Sequence, residues 1–257
     1  MVVTLQLLKI RGRREKYMEQ EDSTSVLSGS SGADRDYVEH FRFQVRRSVA
    51  DIIWKEAALE LTHTVTFPET EEVLNGRIPE TLDLKAALTI NNLKRSWEFL
   101  FEQVDFEPDY QTMCEYNRIN GEGGLINNAG KLRTFPVQIS GTTYKPNEVV
   151  VYGEVAQILE NALNITDPVE KALKLLGEIT RGQWFSDGNK RTAQLMANHV
   201  LIKSNVGWIA PHSENKQVLG DLLADFYETG SQTKLNNFLL EKCFISLRRT
   251  AHTQHST

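Results

Sequence analysis

The sequence has few cysteines and no long hydrophobic run. The two cysteines, Cys114 and Cys243, lie far apart with no metal-ligand spacing around them, which argues against a disulfide framework or a zinc site. No apolar stretch reaches the roughly 20 residues of a membrane-spanning helix. The first residues place an apolar stretch before a basic one, the reverse of a secretory signal. These absences predict a soluble, cytoplasmic protein that does not act at a membrane.

An excess of positive charge is also missing. The chain has 29 Lys and Arg against 34 Asp and Glu, and its formal net charge is -5. Because nucleic-acid binders usually carry a basic surface, nucleic acid is not an expected partner. The hydrophobic fraction of 40% and the charged fraction of 25% are typical of a globular protein.

Composition along the chain indicates three segments. Residues 19–36 are polar and contain Ser-Gly-Ser-Ser-Gly, a flexible-linker composition. We therefore expect a flexible N-terminal segment over residues 1–36. A folded domain should follow over residues 37–247, with N-terminal helices to about residue 104 and a core from about residue 105. Residues 248–257 are expected to form a C-terminal tail.

Apolar residues recur at helical spacing through most of the folded part, which predicts a mainly α fold. Caps and prolines in first turns mark several helix starts, such as Thr66 and Asp167. Residues 134–144 instead alternate around Ser140-Gly141 and predict one small β-hairpin. The helices are expected at 38–61, from Thr66 to Asn75-Gly76, at 83–104, 110–119, 167–182 and 190–203, with at least one more within 217–244.

The loop between the helix ending near Gly182 and the next helix has the sequence Gln-Trp-Phe-Ser-Asp-Gly-Asn-Lys-Arg-Thr. Gly188 allows main-chain N–H groups to converge, and the helix N-terminus that follows favours phosphate. Lys190 and Arg191 add positive charge, and Asp187 is placed to hold a magnesium ion that bridges phosphates. Phe185 is expected to point into the core. Asp-Gly-Asn alone is also typical of an ordinary turn followed by solvated charges.

The full string resembles the signature of the Fic family, written His-x-Phe-x-Asp/Glu-Gly-Asn-x-Arg-x-x-Arg. Members of this family mostly transfer AMP from ATP to a protein hydroxyl. The segments 65–70 and 167–172 are also similar to stretches of the family. The matching signature residues are Phe185, Asp187, Gly188, Asn189 and Arg191.

The resemblance implies a fold, cofactors and partners. The fold is a helical bundle with a hairpin called the flap, which binds the backbone of a target by strand addition. The cofactors are ATP and Mg²⁺, with Asp187 at the metal and the phosphates at Gly188, Asn189, Lys190 and Arg191. A protein target or a regulatory partner would dock on the flap, and a homodimer is one expected assembly because the family often forms dimers. The flap positions are Val137, Gln138, Ile139, Ser140, Gly141, Thr142, Thr143 and Tyr144.

The sequence departs from the family at three places. Gln183 replaces the signature histidine, which takes the proton from the target hydroxyl; loss of a general base lowers the rate by about 10²- to 10⁴-fold. Gln194 replaces the final arginine. Upstream, Ala57 and Leu61 stand where self-inhibited members have a Ser/Thr and a Glu, although a shift of one residue would place Glu60 at the glutamate position.

These departures leave three hypotheses. The chain is a weak Fic-type transferase, or a Fic-fold pseudoenzyme that binds a nucleotide or a protein without chemistry. A third possibility is kinase-like chemistry, because Asn-Lys-Arg-Thr is similar to the death-on-curing branch of the family. Gln183 favours little or no catalysis. His199 and His63 could be offered as substitute bases. The favoured interpretation of His199 is a histidine on a helix face, and that of His63 is a residue that packs in a loop or the core.

Overall fold

The computed structural model describes residues 32–61 and 64–247. By its contacts the chain divides into two units, residues 1–40 and 41–257. Of the first unit the structure describes only residues 32–40, as helix, so the first helix begins inside the segment expected to be flexible. The remaining predictions for that segment, for His63 and for the C-terminal tail lie outside the described residues.

The described part is mainly helical, which confirms the predicted fold class. Two short strands, β1 (Trp208–Ile209) and β2 (Phe244–Ile245), pair antiparallel. Short 3₁₀ turns lie at Glu122–Gly124 and Ser213–Asn215, and a π-helical turn follows the last α-helix at Leu239–Cys243. The α-helices are α1 (Gly32–Glu60), α2 (Phe67–Leu74), α3 (Leu84–Gln103), α4 (Tyr110–Asn120), α5 (Tyr152–Leu163), α6 (Pro168–Gly182), α7 (Asn189–Lys203), α8 (Lys216–Thr229) and α9 (Thr233–Phe238).

Side-chain caps start the helices where the sequence predicts. Thr66 accepts from the backbone N–H of Glu69, whose carboxylate accepts from the backbone N–H of Thr66, so α2 opens with a capping box. Asp83 and Asp167 cap α3 and α6 in the same way, through the N–H three residues later. Each such cap stabilises its helix by about 1 kcal/mol.

Helix α7 is the centre of the core. It packs against α6, α4 and α3, and residues on every side of it are buried, including Leu195, Met196 and Leu201. A helix that is buried all round cannot shift without losing contacts on several faces, and each buried Leu or Met contributes about 1.5–3 kcal/mol. The N-terminus of α7, which carries the predicted phosphate loop, is therefore fixed by the core.

The segment predicted as a hairpin has the expected turn but not paired strands. It turns at Ser140-Gly141, where Gly141 has a φ of 80°, and neither of its arms forms a β-strand. The arms are short, and side chains from elsewhere bind them instead: Arg133 at the base and Glu228 near the turn. In the described residues strand pairing is confined to β1 and β2.

Some features were not predicted. Helix α5 has Val151 at its N-cap with no side-chain hydrogen bond, so its start carries no capping signal. Strands β1 and β2 are two residues each, too short for an alternating pattern. Both cysteines are buried and free, as expected. Among the described helices, none combines the length and the apolar character that crossing a bilayer requires.

Candidate functional site

The predicted phosphate loop joins α6 to α7 through two residues in the left-handed region. Gln183 caps the C-terminus of α6 with φ 47° and ψ 53°. Gly188 precedes α7 with φ 73°, and a Cβ there would lie 2.7 Å from the Cδ1 of Ile126. Glycine is needed at 188 both for its backbone angles and for this close approach.

Asn189 holds the loop between these two points. Its Oδ1 accepts from the backbone N–H of Phe185 at 2.9 Å, and its Nδ2 donates to the carbonyl of Phe185 at 2.9 Å. The ring of Phe185 is 1% exposed, which confirms that it pins the loop to the core. Because the carboxamide of Asn189 is used within the loop, this residue shapes the predicted phosphate loop through the backbone.

The side chain of Gln183 hydrogen-bonds to the end of α6 and to Asn189. Its Nε2 donates to the carbonyl of Thr180 at 2.7 Å and lies 3.4 Å from the hydroxyl of Tyr227. Its Oε1 accepts from the Nδ2 of Asn189 at 3.2 Å. At the position of the signature histidine the chain therefore has an amide that is engaged at both ends and cannot carry a proton near neutral pH.

Asn117, a buried residue that the sequence did not indicate, supports the loop from α4. Its Nδ2 donates to the carbonyl of Asp187 at 2.9 Å and lies 3.3 Å from the hydroxyl of Thr192. Its Oδ1 accepts from the N–H of Gly130 at 2.9 Å. An isolated asparagine inside a helix has no local pattern that would have marked it.

Arg133, also missed, joins the loop to the base of the flap. Its Nε donates to the carbonyl of Gln183 at 2.6 Å, and its two terminal nitrogens donate to the carbonyls of Phe135, Asn147 and Glu148. It is 2% exposed, and burial lowers the pKa of its guanidinium. Four carbonyl acceptors therefore hold this buried cation, and the flap ends are tied to position 183.

Arg191 is a largely buried charge on the first turn of α7. Its Nη2 lies 3.1 Å from the Oε1 of Glu60 and 3.9 Å from the Oδ1 of Asp187. Its side chain is 9% exposed, and its Nε is buried with no hydrogen-bond partner among the described residues. A buried donor without an acceptor is unusual and fits a site that takes an anion.

A cavity of about 320 Å³ lies beside the first turn of α7. Leucines from α6, α8 and α9 form an apolar wall, including Leu176, Leu219 and Leu235. The other side is polar. Cavities of this size with a few convergent polar groups are typical ligand sites. The polar residues are Glu56, Glu60, Thr180, Lys190, Arg191, Gln194 and Lys216.

Glu56 forms part of the inner wall of this cavity and is 5% exposed. Its Oε1 accepts from the Nε2 of Gln194 at 2.7 Å, and its Oε2 accepts from the indole N–H of Trp97 at 3.2 Å. Burial raises the pKa of Glu56 to about 8, although the Trp97 hydrogen bond and the charge of Arg191 oppose the shift. The residue facing Gln194 is thus a buried acid.

Ala57 and Leu61, the positions expected for the degenerate inhibitory motif, are buried in the hydrophobic core. Glu56 and Glu60, on the same face of α1, meet Gln194 and Arg191 instead. The alternative alignment, with Glu60 at the glutamate position, is therefore the one in which a carboxylate reaches the loop.

The flap is fastened to the end of α8. The carboxylate of Glu228 accepts from the hydroxyl of Thr142 at 2.6 Å, from the hydroxyl of Thr143 at 2.8 Å and from the backbone N–H of Thr143. These hydrogen bonds lower the pKa of Glu228. The ring of Tyr144 stacks on Tyr227 at 6.1 Å between centroids. Residues 142–144 are therefore held against the body of the domain.

His199 lies in the core, away from the loop. Its Nδ1 is 2.8 Å from the hydroxyl of Tyr116, and its Nε2 is 3.0 Å from the carbonyls of Gln103 and Phe106. It is 0% exposed, and burial lowers its pKa to about 4. It is a core histidine, more deeply buried than a helix-face residue, and it does not replace the missing base.

The site fits a magnesium ion held together with a phosphate. Asp187 has a side chain that is 66% exposed, at the start of the helix that carries Arg191. Within residues 32–61 and 64–247 no group of three or more His, Cys, Asp or Glu could hold a metal. Because Mg²⁺ is often bound by one carboxylate plus substrate phosphates, Asp187 suits an ion that arrives with its ligand.

The fold and this loop define a helical domain in which the predicted phosphate loop opens a buried helix. Residues 107–201 match the Fic/DOC family profile. Over these residues, which contain the loop, the chain is therefore similar to Fic/DOC proteins. No curated protein matched the sequence.

Solved structures of Fic proteins share the fold. A Fic domain-containing signaling protein from Bacteroides thetaiotaomicron has a TM-score of 0.61 at 18% identity, over 80% of this chain and 84% of its own. Fic-1 from C. elegans has a TM-score of 0.64 at 18% identity, over 90% of this chain and 72% of its own. A Fic family protein from Desulfovibrio desulfuricans has a TM-score of 0.58 at 13% identity, over 82% of this chain and 72% of its own. At these identities the likeness concerns the fold.

Proposed function

We propose that this protein is a Fic-fold pseudoenzyme that binds ATP or another phosphate compound without transferring AMP or phosphate to a protein. The observation that carries the proposal is the side chain of Gln183. Its amide oxygen accepts from Asn189 and its amide nitrogen donates to Thr180, so the group belongs to the scaffold of the loop. A glutamine in this arrangement holds a binding site in shape but takes no proton from a hydroxyl.

Neighbouring groups do not supply the missing base. Burial raises the pKa of Tyr227, whose hydroxyl lies 3.4 Å from the Nε2 of Gln183, to about 12, so this phenol keeps its proton at neutral pH. His199 is bound in the core to Tyr116 and to backbone carbonyls. Without a base the transfer is expected to be slower by about 10²- to 10⁴-fold.

The binding half of the proposal rests on the start of α7. The N–H groups of its first turn, Lys190 and the unsatisfied Nε of Arg191 offer donors and positive charge to a phosphate. Asp187 would hold Mg²⁺, which would supply positive charge to neutralise the phosphates. The leucine wall of the cavity would take the apolar part of the ligand.

Calorimetric titration with ATP and Mg²⁺ tests this binding. We expect measurable affinity in the wild type and a loss of at least tenfold in Arg191→Ala, because a buried cation at the phosphate is removed. Arg77→Ala removes the same charge from an exposed site outside the cavity and should bind like the wild type. Absence of ATP binding in the wild type would overturn the proposal.

The nearly complete signature supports a second candidate, a slow AMP transferase. Asp187, Gly188, Asn189 and Arg191 keep their signature positions, and Arg191 lines a cavity large enough for a ligand. The arms of the flap are the segment on which a target or regulatory peptide would pair by strand addition.

Labelling with isotopic ATP separates the two candidates. The pseudoenzyme proposal expects no stoichiometric transfer of AMP or phosphate to any protein by the wild type. Transfer that rises in proportion to wild-type concentration supports the transferase. Gln183→His, the matched variant, shows whether the rest of the site can still support transfer. Labelling by this variant and not by the wild type would mean that Gln183 is what prevents the reaction.

A further inference from the structure

Two glutamates of α1 each contact a side chain of α7 along the cavity. Glu56 and Glu60 are one turn apart on α1, and Gln194 and Arg191 are one turn apart on α7. Glu60 pairs with a cation, Arg191. Glu56 instead meets two neutral donors, the amide of Gln194 and the indole of Trp97. The two acids therefore have different electrostatic surroundings within one cavity.

The surroundings of Glu56 favour its neutral form. No cation forms an ion pair with it among the described residues, and the residue is 5% exposed. A buried carboxylate with only neutral donors is destabilised relative to the acid, and burial accordingly raises the pKa of Glu56 to about 8. Near pH 7 the inner wall of the cavity therefore carries a proton on Glu56.

A negative charge at this position would act directly on a ligand. Arg191 and Lys190, the cations that a phosphate would meet, line the same cavity as Glu56. In a partly desolvated cavity like charges repel more strongly than in water. An ionised Glu56 would thus oppose a phosphate at Arg191, whereas the acid form leaves that attraction intact.

We propose that Glu56 sets the charge that the cavity accepts: protonated, it admits a phosphate group beside Arg191, and ionised, it excludes one. This inference rests on the phosphate binding proposed above and adds its dependence on protons. The ligand class is a nucleotide or another phosphate compound, and uptake is highest where Glu56 holds its proton.

Other charged groups face the cavity and must be separated from Glu56. Helix α1 contributes Glu60, α7 contributes Lys190 and Arg191, and α8 contributes Lys216, whose Nζ donates to backbone carbonyls at the end of α1. The residues from α3, α6, α9 and the π-helical turn that approach Glu56 or line the cavity do not titrate in this range: Trp97, Leu176, Thr180, Leu235 and Leu239.

The test is titration with ATP and Mg²⁺ at pH values from 7.0 to 9.5. For the wild type we expect an affinity that is nearly constant at the lowest values and falls by up to about tenfold per pH unit above the pKa of Glu56. Glu56→Gln has the shape of the protonated acid but does not titrate, so its affinity for ATP should vary little over the same pH range. Glu60→Gln, the matched control, should keep the wild-type dependence.

Each outcome has a distinct meaning. Binding in the wild type with the same pH profile as Glu56→Gln overturns this inference but leaves the binding proposal standing. A pH profile that disappears in Glu60→Gln assigns the effect to Glu60 and also overturns the inference. No binding of ATP at any pH overturns both proposals. Urea unfolding of Glu56→Gln, run in parallel, must show a cooperative transition, which establishes that a flat profile comes from a folded protein.

Discussion

At the residue scale, Gln183 contributes to the structure of the loop. It cannot carry a proton near neutral pH, but its amide oxygen accepts from Asn189, and Asn189 holds the backbone of the loop through Phe185. A residue without an acceptor at position 183 would leave Asn189 with one partner fewer. Gln183 therefore maintains the shape of the loop, which the proposed binding role requires.

Glu56 makes the stability of the protein depend on pH in a defined window. Its pKa is about 8 in the fold and close to 4.5 in the unfolded chain, so the fold binds the extra proton between these values and becomes less stable as pH rises. The buried His199, with a pKa of about 4, acts in the opposite direction, but only below its ordinary value of 6.5. The window from pH 6.5 to 8 therefore isolates Glu56 from His199.

We predict that between pH 6.5 and 8 the free energy of unfolding of the wild type falls by up to about 1.4 kcal/mol per pH unit. Urea denaturation at pH 6.5, 7.0, 7.5 and 8.0 measures it. Glu56→Gln should lack this slope, since it has no proton to lose, and Glu60→Gln should retain it. Equal slopes in the wild type and Glu56→Gln would show that Glu56 is already ionised at pH 6.5.

At the scale of elements, local signals predicted most helices and the phosphate loop. Caps such as Thr66 and Asp167, followed by apolar periodicity, are contained in short stretches of sequence. Helix α5 lacks such a cap, and it was missed. The contacts of Asn117 and Arg133 join residues far apart in sequence, so no local pattern could indicate them.

The register of α1 against α7 shows the same limit. Neighbouring residues on a helix point about 100° apart, so an alignment error of one residue changes which side chain faces the cavity. From sequence both Leu61 and Glu60 are candidates for the glutamate position of the family, and the structure brings Glu60 to Arg191 and Glu56 to Gln194. Only packing between helices determines this register.

The contact between flap and α8 yields a prediction about mobility. Because the carboxylate of Glu228 accepts from the backbone N–H of Thr143, Glu228→Ala should expose that N–H to solvent. We expect hydrogen exchange at Thr143, followed by NMR, to become several-fold faster. Glu160→Ala, an exposed acid on α5, is the control. Unchanged exchange at Thr143 would mean that Glu228 does not hold the flap in solution.

For the whole molecule, the cavity links parts of the chain that are distant in sequence. Its walls come from the end of α1, from α6 and α7 in the middle, and from α8 and α9 near the end of the described residues. Such a site exists only in the folded chain. A ligand that occupies it must therefore stabilise the fold as a unit, to an extent set by its concentration relative to Kd.

This linkage gives a prediction that tests phosphate recognition without an enzymatic assay. With ATP and Mg²⁺ at about 100 times Kd, the free energy of unfolding should rise by about 2.7 kcal/mol. Adenosine at the same concentration should stabilise far less, because it has no group to satisfy the Nε of Arg191. Arg191→Ala should lose most of the stabilisation by ATP, which urea unfolding with and without ligand measures. If adenosine stabilises the wild type as much as ATP does, the apolar wall of leucines binds the ligand and the phosphate loop contributes little. If ATP stabilises Arg191→Ala fully, the phosphate lies elsewhere, and the proposed role of the α7 N-terminus is wrong.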